Sequence, residues 1–140
     1  MRLLHVIDHL GAGGAQRLLA DIGSRQAKRG YDVGVVCLRG PTPLGSELEA
    51  NGVPVRYLRL GRANLLQPLA LIAAIRAAKP DIVHTHLTLS CLLGRAAAVI
   101  AGVPIQIIHD HQADAEIAAT PAPLLILKRL IESRWSSRST

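Results

Sequence analysis

The sequence predicts an α/β fold: an open parallel sheet of about five strands, order 3-2-1-4-5, with helices on both faces. Short apolar runs alternate with helical stripes along the 140 residues. The first run, Leu3–Ile7, stops at Gly11, Gly13 and Gly14, and a helical pattern starts directly after them. The core must be aliphatic, because Phe is absent and aromatics are 2% of a chain that is 49% hydrophobic. Leu, Ile, Val and Ala suit helices packed on a parallel sheet. So few aromatic rings argue against a surface that stacks nucleic-acid bases.

Leu3–Ile7 reads as a buried strand. From Ala15 the apolar positions Leu18, Leu19, Ile22 and Ala27 make a helical stripe, which Gly30 ends after Lys28 and Arg29. Val33–Leu38 is the second strand. Pro41 and Pro43 break it, and Leu44–Ala50 is a short helix closed by Asn51 and Gly52. Val53–Leu58 is a third strand, edge-like because Pro54 has no N–H to give a ladder. Asn64 is placed to cap a helix over Leu65–Ala78, with Pro68 near its first turn and Pro80 beyond its end. Ile82–Thr85 is the fourth strand. Thr88 or Ser90 caps a helix running to about Ala101 before Gly102, and Val103–Ile108 is the fifth strand. Residues 110–123 read as loop and Leu124–Arg134 as a last helix; 1–135 is one domain and 136–140 a polar tail.

The formal charge is +6, and half of that surplus comes from the last thirteen residues, with Lys128, Arg129, Arg134 and Arg138 against Glu132. The last helix, with Leu124, Leu127, Leu130 and Ile131 beside those cations, reads as packing on the sheet or as lying on a membrane surface. Cys37 and Cys91 lack metal-ligand spacing and read as buried free thiols. Asp8 and the glycines interrupt the apolar start too early for a signal peptide, and no apolar run reaches about 18 residues. The expectation is a cytoplasmic protein, with any membrane contact peripheral at the inner face.

In the order 3-2-1-4-5 the first, fourth and fifth strands are neighbours. They end at Asp8-His9, at His84-Thr85-His86 and at His109-Asp110-His111. Five of the six histidines then gather at one rim, while His5 reads as a hydrogen-bonded core residue. Histidine suits proton transfer or metal binding near neutral pH. Asp8 is placed either to cap the turn or to face the site. Gln16 stands where a dinucleotide fingerprint has its third glycine, and Arg39 where it has an acidic ribose partner, though Arg39 would suit a 2′-phosphate. The turn is therefore a generic anion turn.

At these residues the chain resembles the family-4 glycosyltransferases. The stretches are His5-Val6-Ile7 leading to Gly13-Gly14-Ala15-Gln16-Arg17, Lys28-Arg29-Gly30-Tyr31-Asp32-Val33, and Pro80-Asp81-Ile82-Val83-His84-Thr85-His86. Leu93-Gly94-Arg95, Gly102-Val103-Pro104 and His111 continue the pattern. The resemblance implies the Rossmann-like N-terminal, acceptor-binding domain of a GT-B enzyme. Such an enzyme moves a sugar, with retention, from a nucleotide-sugar co-substrate to a glycan or lipid acceptor, without a cofactor or a metal. It implies Gly13 and Gly14 on the phosphate side, His111 as the catalytic histidine near the reacting sugar, and His86 on the acceptor side. Asp8, His84 and His109 complete the expected substrate-binding set.

The family's donor-binding domain, with its two glutamates eight positions apart, has no match in these residues. The expectation is a chain that transfers no sugar alone: a fragment, one half of a split enzyme, or a remnant. Two other readings stand beside it, a metal-dependent hydrolase using the pairs His84/His86 and His109/His111, and a non-enzymatic binding module.

Overall fold

A computed structural model describes residues 1–59 and 67–109. Its elements are β1 (Arg2–Ile7), α1 (Gly14–Lys28), β2 (Asp32–Cys37), α2 (Pro43–Ala50), β3 (Val55–Tyr57), α3 (Gln67–Ala78), β4 (Ile82–His86), α4 (Thr88–Ile100) and β5 (Ile105–His109). The strands form one parallel sheet in the order β3-β2-β1-β4-β5, as the alternation predicts. β1 is central, paired to β2 from Arg2↔Asp32 to Ile7↔Cys37 and to β4 from Leu3↔Ile82 to Ile7↔His86.

Alternation along β1 feeds two cores. Leu4 and Val6 face α3 and α4, packing with Val36, Leu71, Ile75 and Val83. Leu3 and Ile7 face α1 and α2, packing with Leu10, Leu19, Val35 and Leu48. An aliphatic run buried on both faces is what a central parallel strand requires. α1 presents Leu19, Ala20 and Gly23 to its core and keeps Arg17 and Asp21 outside, paired at 3.2 Å one helical turn apart. It ends where Gly30 takes a φ of 85°, a left-handed value that a side chain would oppose.

Three local expectations change. β3 is three residues long, not six, because the Pro54 carbonyl accepts from Val35 N (2.9 Å) while the proline has no N–H to return. β4 runs one residue further than predicted and takes in His86, which pairs in register with Ile7 and with His109. The cap position of α4 is Leu87, which has no side-chain hydrogen bond to give, and the carboxylate of Asp8 from the neighbouring strand end accepts from the first amides of the helix. The proposed Asn64 cap, Asp110, His111, the helix over 124–134 and the tail over 136–140 lie outside the described residues. Among the described residues no helix is long and apolar enough to cross a membrane. Cys37 and Cys91 are buried thiols, neither of them in a disulfide.

Candidate functional site

β1 leaves the sheet at Ile7, and the chain from Asp8 to Gly13 turns into α1. The first turn of α1 holds no acidic residue, and its cap position, Gly13, offers no side-chain hydrogen bond. Its amides therefore meet the carboxyl edge of the sheet without an internal anion, which is how a helix start receives an external one. Gly13 has an extended backbone, so its smallness serves approach rather than a left-handed turn. A Cβ there would run into Gln16 Oε1, the end of a buried side chain. Nothing lies within 4 Å of the corresponding point on Gly14. His9 braces the turn: Gly11 N–H donates to its Nδ1 at 3.2 Å, and Gln16 Nε2 lies 3.4 Å from the ring nitrogens.

α2 forms the opposite wall. Thr42 Oγ1 donates to the Leu10 carbonyl (2.6 Å) and accepts from Gly45 N–H (3.4 Å), capping α2 and tying it to the glycine turn. Pro43 takes the first helical turn, where its missing N–H costs nothing. Between turn and helix lies a mostly apolar cleft of about 400 Å³, walled by Leu10, Ala12, Gly13, Pro43 and Leu44. Arg17 stands at its edge, donating to Glu47 at 2.9 Å. That volume suits part of a substrate. The α2 wall escapes a reading confined to strand ends; its signal in the sequence is Thr42-Pro43, a helix cap followed by proline.

The other predicted positions divide. Asp8 is a structural anchor: its carboxylate accepts from Leu89 N–H (3.2 Å), from Ser90 N–H and from the Ser90 hydroxyl. It thereby fixes the turn from β4 into α4, where Leu87 is held at a φ of 70°. Burial pushes the Asp8 carboxyl above its ordinary value, outweighing the Ser90 and Leu89 hydrogen bonds that favour the anion. His5 is fully buried, as expected of a core histidine, and its Nε2 meets Gln26 Oε1 at 2.9 Å. Burial lowers its pKa more than the Gln26 bond raises it.

The histidines assigned to the rim are arranged differently. Residues 5, 84, 86 and 109 share the α1-side face through the register of β1, β4 and β5. His84 and His86 stand 4.0 Å apart by ring centroid, His5 lies 5.2 and 5.3 Å from them, and His109 lies 6.0 Å from both. His86 is 1% exposed, so it stands within the sheet's covered face and not on the open rim. His5 Nδ1 and His86 Nε2 are 3.1 Å apart. One ring nitrogen from each of His5, His84 and His86 lies within 4.8 Å of the others, a grouping able to hold a metal ion. That trio crosses from β1 to β4 and differs from the two i,i+2 pairs expected from sequence, of which His111 falls outside the described residues.

A parallel sheet with this strand order, and a glycine turn and apolar cleft at its carboxyl edge, defines an α/β domain of the Rossmann-like type. The model of Glycosyltransferase Family 4 matches residues 12–139, and the chain belongs to that family. Solved structures share the fold. HepE of Anabaena, in complex with UDP and glucose, is 21% identical with a TM-score of 0.59, covering 75% of this chain and 28% of that one. MurG of Acinetobacter baumannii is 18% identical with a TM-score of 0.63, covering 91% and 38%. A leucoanthocyanidin reductase from Vitis vinifera, bound to NADPH, is 18% identical with a TM-score of 0.57, covering 95% and 45%. The chain thus spans less than half the length of each of these structures. No curated protein matches in sequence.

Proposed function

We propose that this chain is the acceptor-binding, N-terminal half of a glycosyltransferase that moves a sugar from a nucleotide-sugar co-substrate to a glycan or lipid-linked acceptor. The observation that carries the reading is the cleft of about 400 Å³ between the glycine turn and α2, beside the open start of α1. It occurs in a chain of Glycosyltransferase Family 4. The structural neighbour HepE was solved with UDP and glucose, which supports a nucleoside-diphosphate donor for this chain as well.

On this reading the acceptor lies against Leu10, Pro43 and Leu44, and the amides at Gly13 and Gly14 face the diphosphate. Oriented N–H groups stabilise charge that develops on a departing diphosphate without having to reorganise. His111 is the histidine assigned to the reacting sugar. His84, His86 and His109 act one layer below, holding the ends of β4 and β5, and Asp8 holds the start of α4. The donor-binding half belongs to another domain or chain. We place the reaction in the cytoplasm, with residues 124–135 as a contact to the inner face of the membrane, on the strength of their leucines and cations.

The test is calorimetric titration of the chain with glycan acceptors, lipid-linked acceptors and nucleotide sugars. The expected result is acceptor binding that Leu44→Arg weakens more than about tenfold, one tenfold step being about 1.4 kcal/mol. Absence of acceptor binding, or binding indifferent to Leu44→Arg, rejects the reading. Once a donor-binding half is supplied, His111→Ala should lose most of the transfer rate.

A further inference from the structure

Three imidazoles in an otherwise aliphatic wall need a physical reason, and their placement supplies one. His5 sits at 0% exposure between Leu3 and Ile7, which belong to the core under α1. Its Nε2 faces the Gln26 carboxamide oxygen at 2.9 Å, so Nε2 carries the proton and Nδ1 presents a lone pair. That lone pair points at His86 Nε2, 3.1 Å away, and the third nitrogen of the group comes from His84.

We propose that His5, His84 and His86, clustered across β1 and β4 beneath α1, form a binding site for one borderline divalent transition metal, with Zn²⁺ the best fit. Zinc binds imidazole nitrogen at about 2.0–2.1 Å in tetrahedral geometry, which sets two such nitrogens roughly 3.3–3.4 Å apart. The His5–His86 pair needs to open by only a few tenths of an ångström. The His84 ring, half-buried, supplies the third nitrogen, within 4.8 Å of the other two, and has to close on the ion. Gln26 is the outer partner that orients His5, as carbonyl groups commonly do for metal-bound histidine. The cation takes the place of the proton between His5 Nδ1 and His86 Nε2, and that proton shifts to Nδ1 of His86, so that both rings bind as neutral imidazoles. An all-nitrogen set selects Zn²⁺, Co²⁺, Ni²⁺ or Cu²⁺ over Mg²⁺ and Ca²⁺, which prefer oxygen. Three ligands from two strands make the ion a clamp on the sheet just below the glycine turn, outside the proposed transfer chemistry and independent of it.

Co²⁺ titration of the full chain, followed by visible absorption, tests the site. The expected result is a tetrahedral d–d spectrum saturating at about one Co²⁺ per chain and displaced by Zn²⁺ but not by Mg²⁺. His84→Gln should abolish that spectrum, Gln26→Leu should weaken binding about 10–100-fold, and His9→Gln, outside the trio, should leave the Co²⁺ spectrum as it is. If His84→Gln fails to fold, the wild-type chain still decides: Co²⁺ must shift the ring resonances of His5, His84 and His86, and Zn²⁺ must raise the melting temperature. The inference is overturned by any of three results. These are the absence of a tetrahedral spectrum, binding unaltered in folded His84→Gln and Gln26→Leu, or ring shifts at other histidines alone.

Discussion

Asp8 joins two sides of the sheet with one side chain. It leaves β1 and caps α4, more than eighty residues later, with hydrogen bonds to Leu89 and Ser90. Its carboxyl is raised above the ordinary 3.8 by burial. The folded state therefore holds this proton more tightly than the unfolded state between pH 3.8 and the raised value. In that window stability falls as pH rises, so the contribution of Asp8 is most favourable on the acid side and least favourable at neutral pH. Asp8→Asn keeps one acceptor and removes the titration. The stability difference in favour of wild type should be wider at about pH 4 than at about pH 7 in paired urea denaturations. A difference that is the same at both, or narrower in acid, would show that the hydrogen bonds outweigh burial.

At the scale of elements, close contact between α4 and the sheet depends on Gly94. A Cβ there would lie 2.8 Å from Thr85 Cγ2 and 3.5 Å from Val6 Cγ1, against strands that cannot retreat. Gly94→Ala should cost about 1–3 kcal/mol in chemical denaturation, the range for overpacking. Gly14→Ala is the contrast: its Cβ meets nothing, and it should leave stability unchanged or raise it by up to about 1 kcal/mol. Equal effects of the two would remove the packing argument. The same elements show what the sequence makes legible. Stops at Gly30, Gly52 and Gly102 and the aliphatic strands are local signals, and they lead directly to the observed strand order. The cap on α4 is not local, since Thr88 and Ser90 look sufficient until Asp8 arrives from another strand. The histidines at strand ends were legible as a group. Their gathering with His5 on one face was not, because it depends on a register that pairs His5 with His84 and on β4 extending through His86. The cleft needed α2 beside the glycine turn, a contact made through Thr42 that no periodicity announces.

For the molecule as a whole, order 3-2-1-4-5 puts the glycine turn at the centre of the sheet and leaves β3 and β5 at its margins among the described residues. The two margins differ. β3 is short and carries Arg56, which is the usual protection of an edge. β5 carries Ile105, Ile107 and Ile108 at 51%, 43% and 43% exposure, next to α4, whose last residues Val99 and Ile100 are exposed as well. An aliphatic strand so presented invites pairing with another chain. Ile107→Lys and Ile108→Lys should each lower the fraction of aggregated protein in concentration-dependent light scattering. Neither should shift stability beyond about 0.5 kcal/mol, the usual span for surface positions. A lysine that instead destabilises the fold by several times that amount would place its isoleucine in a buried contact of the folded chain. The margin beyond β5 would then be a covered face of the domain, not an open edge.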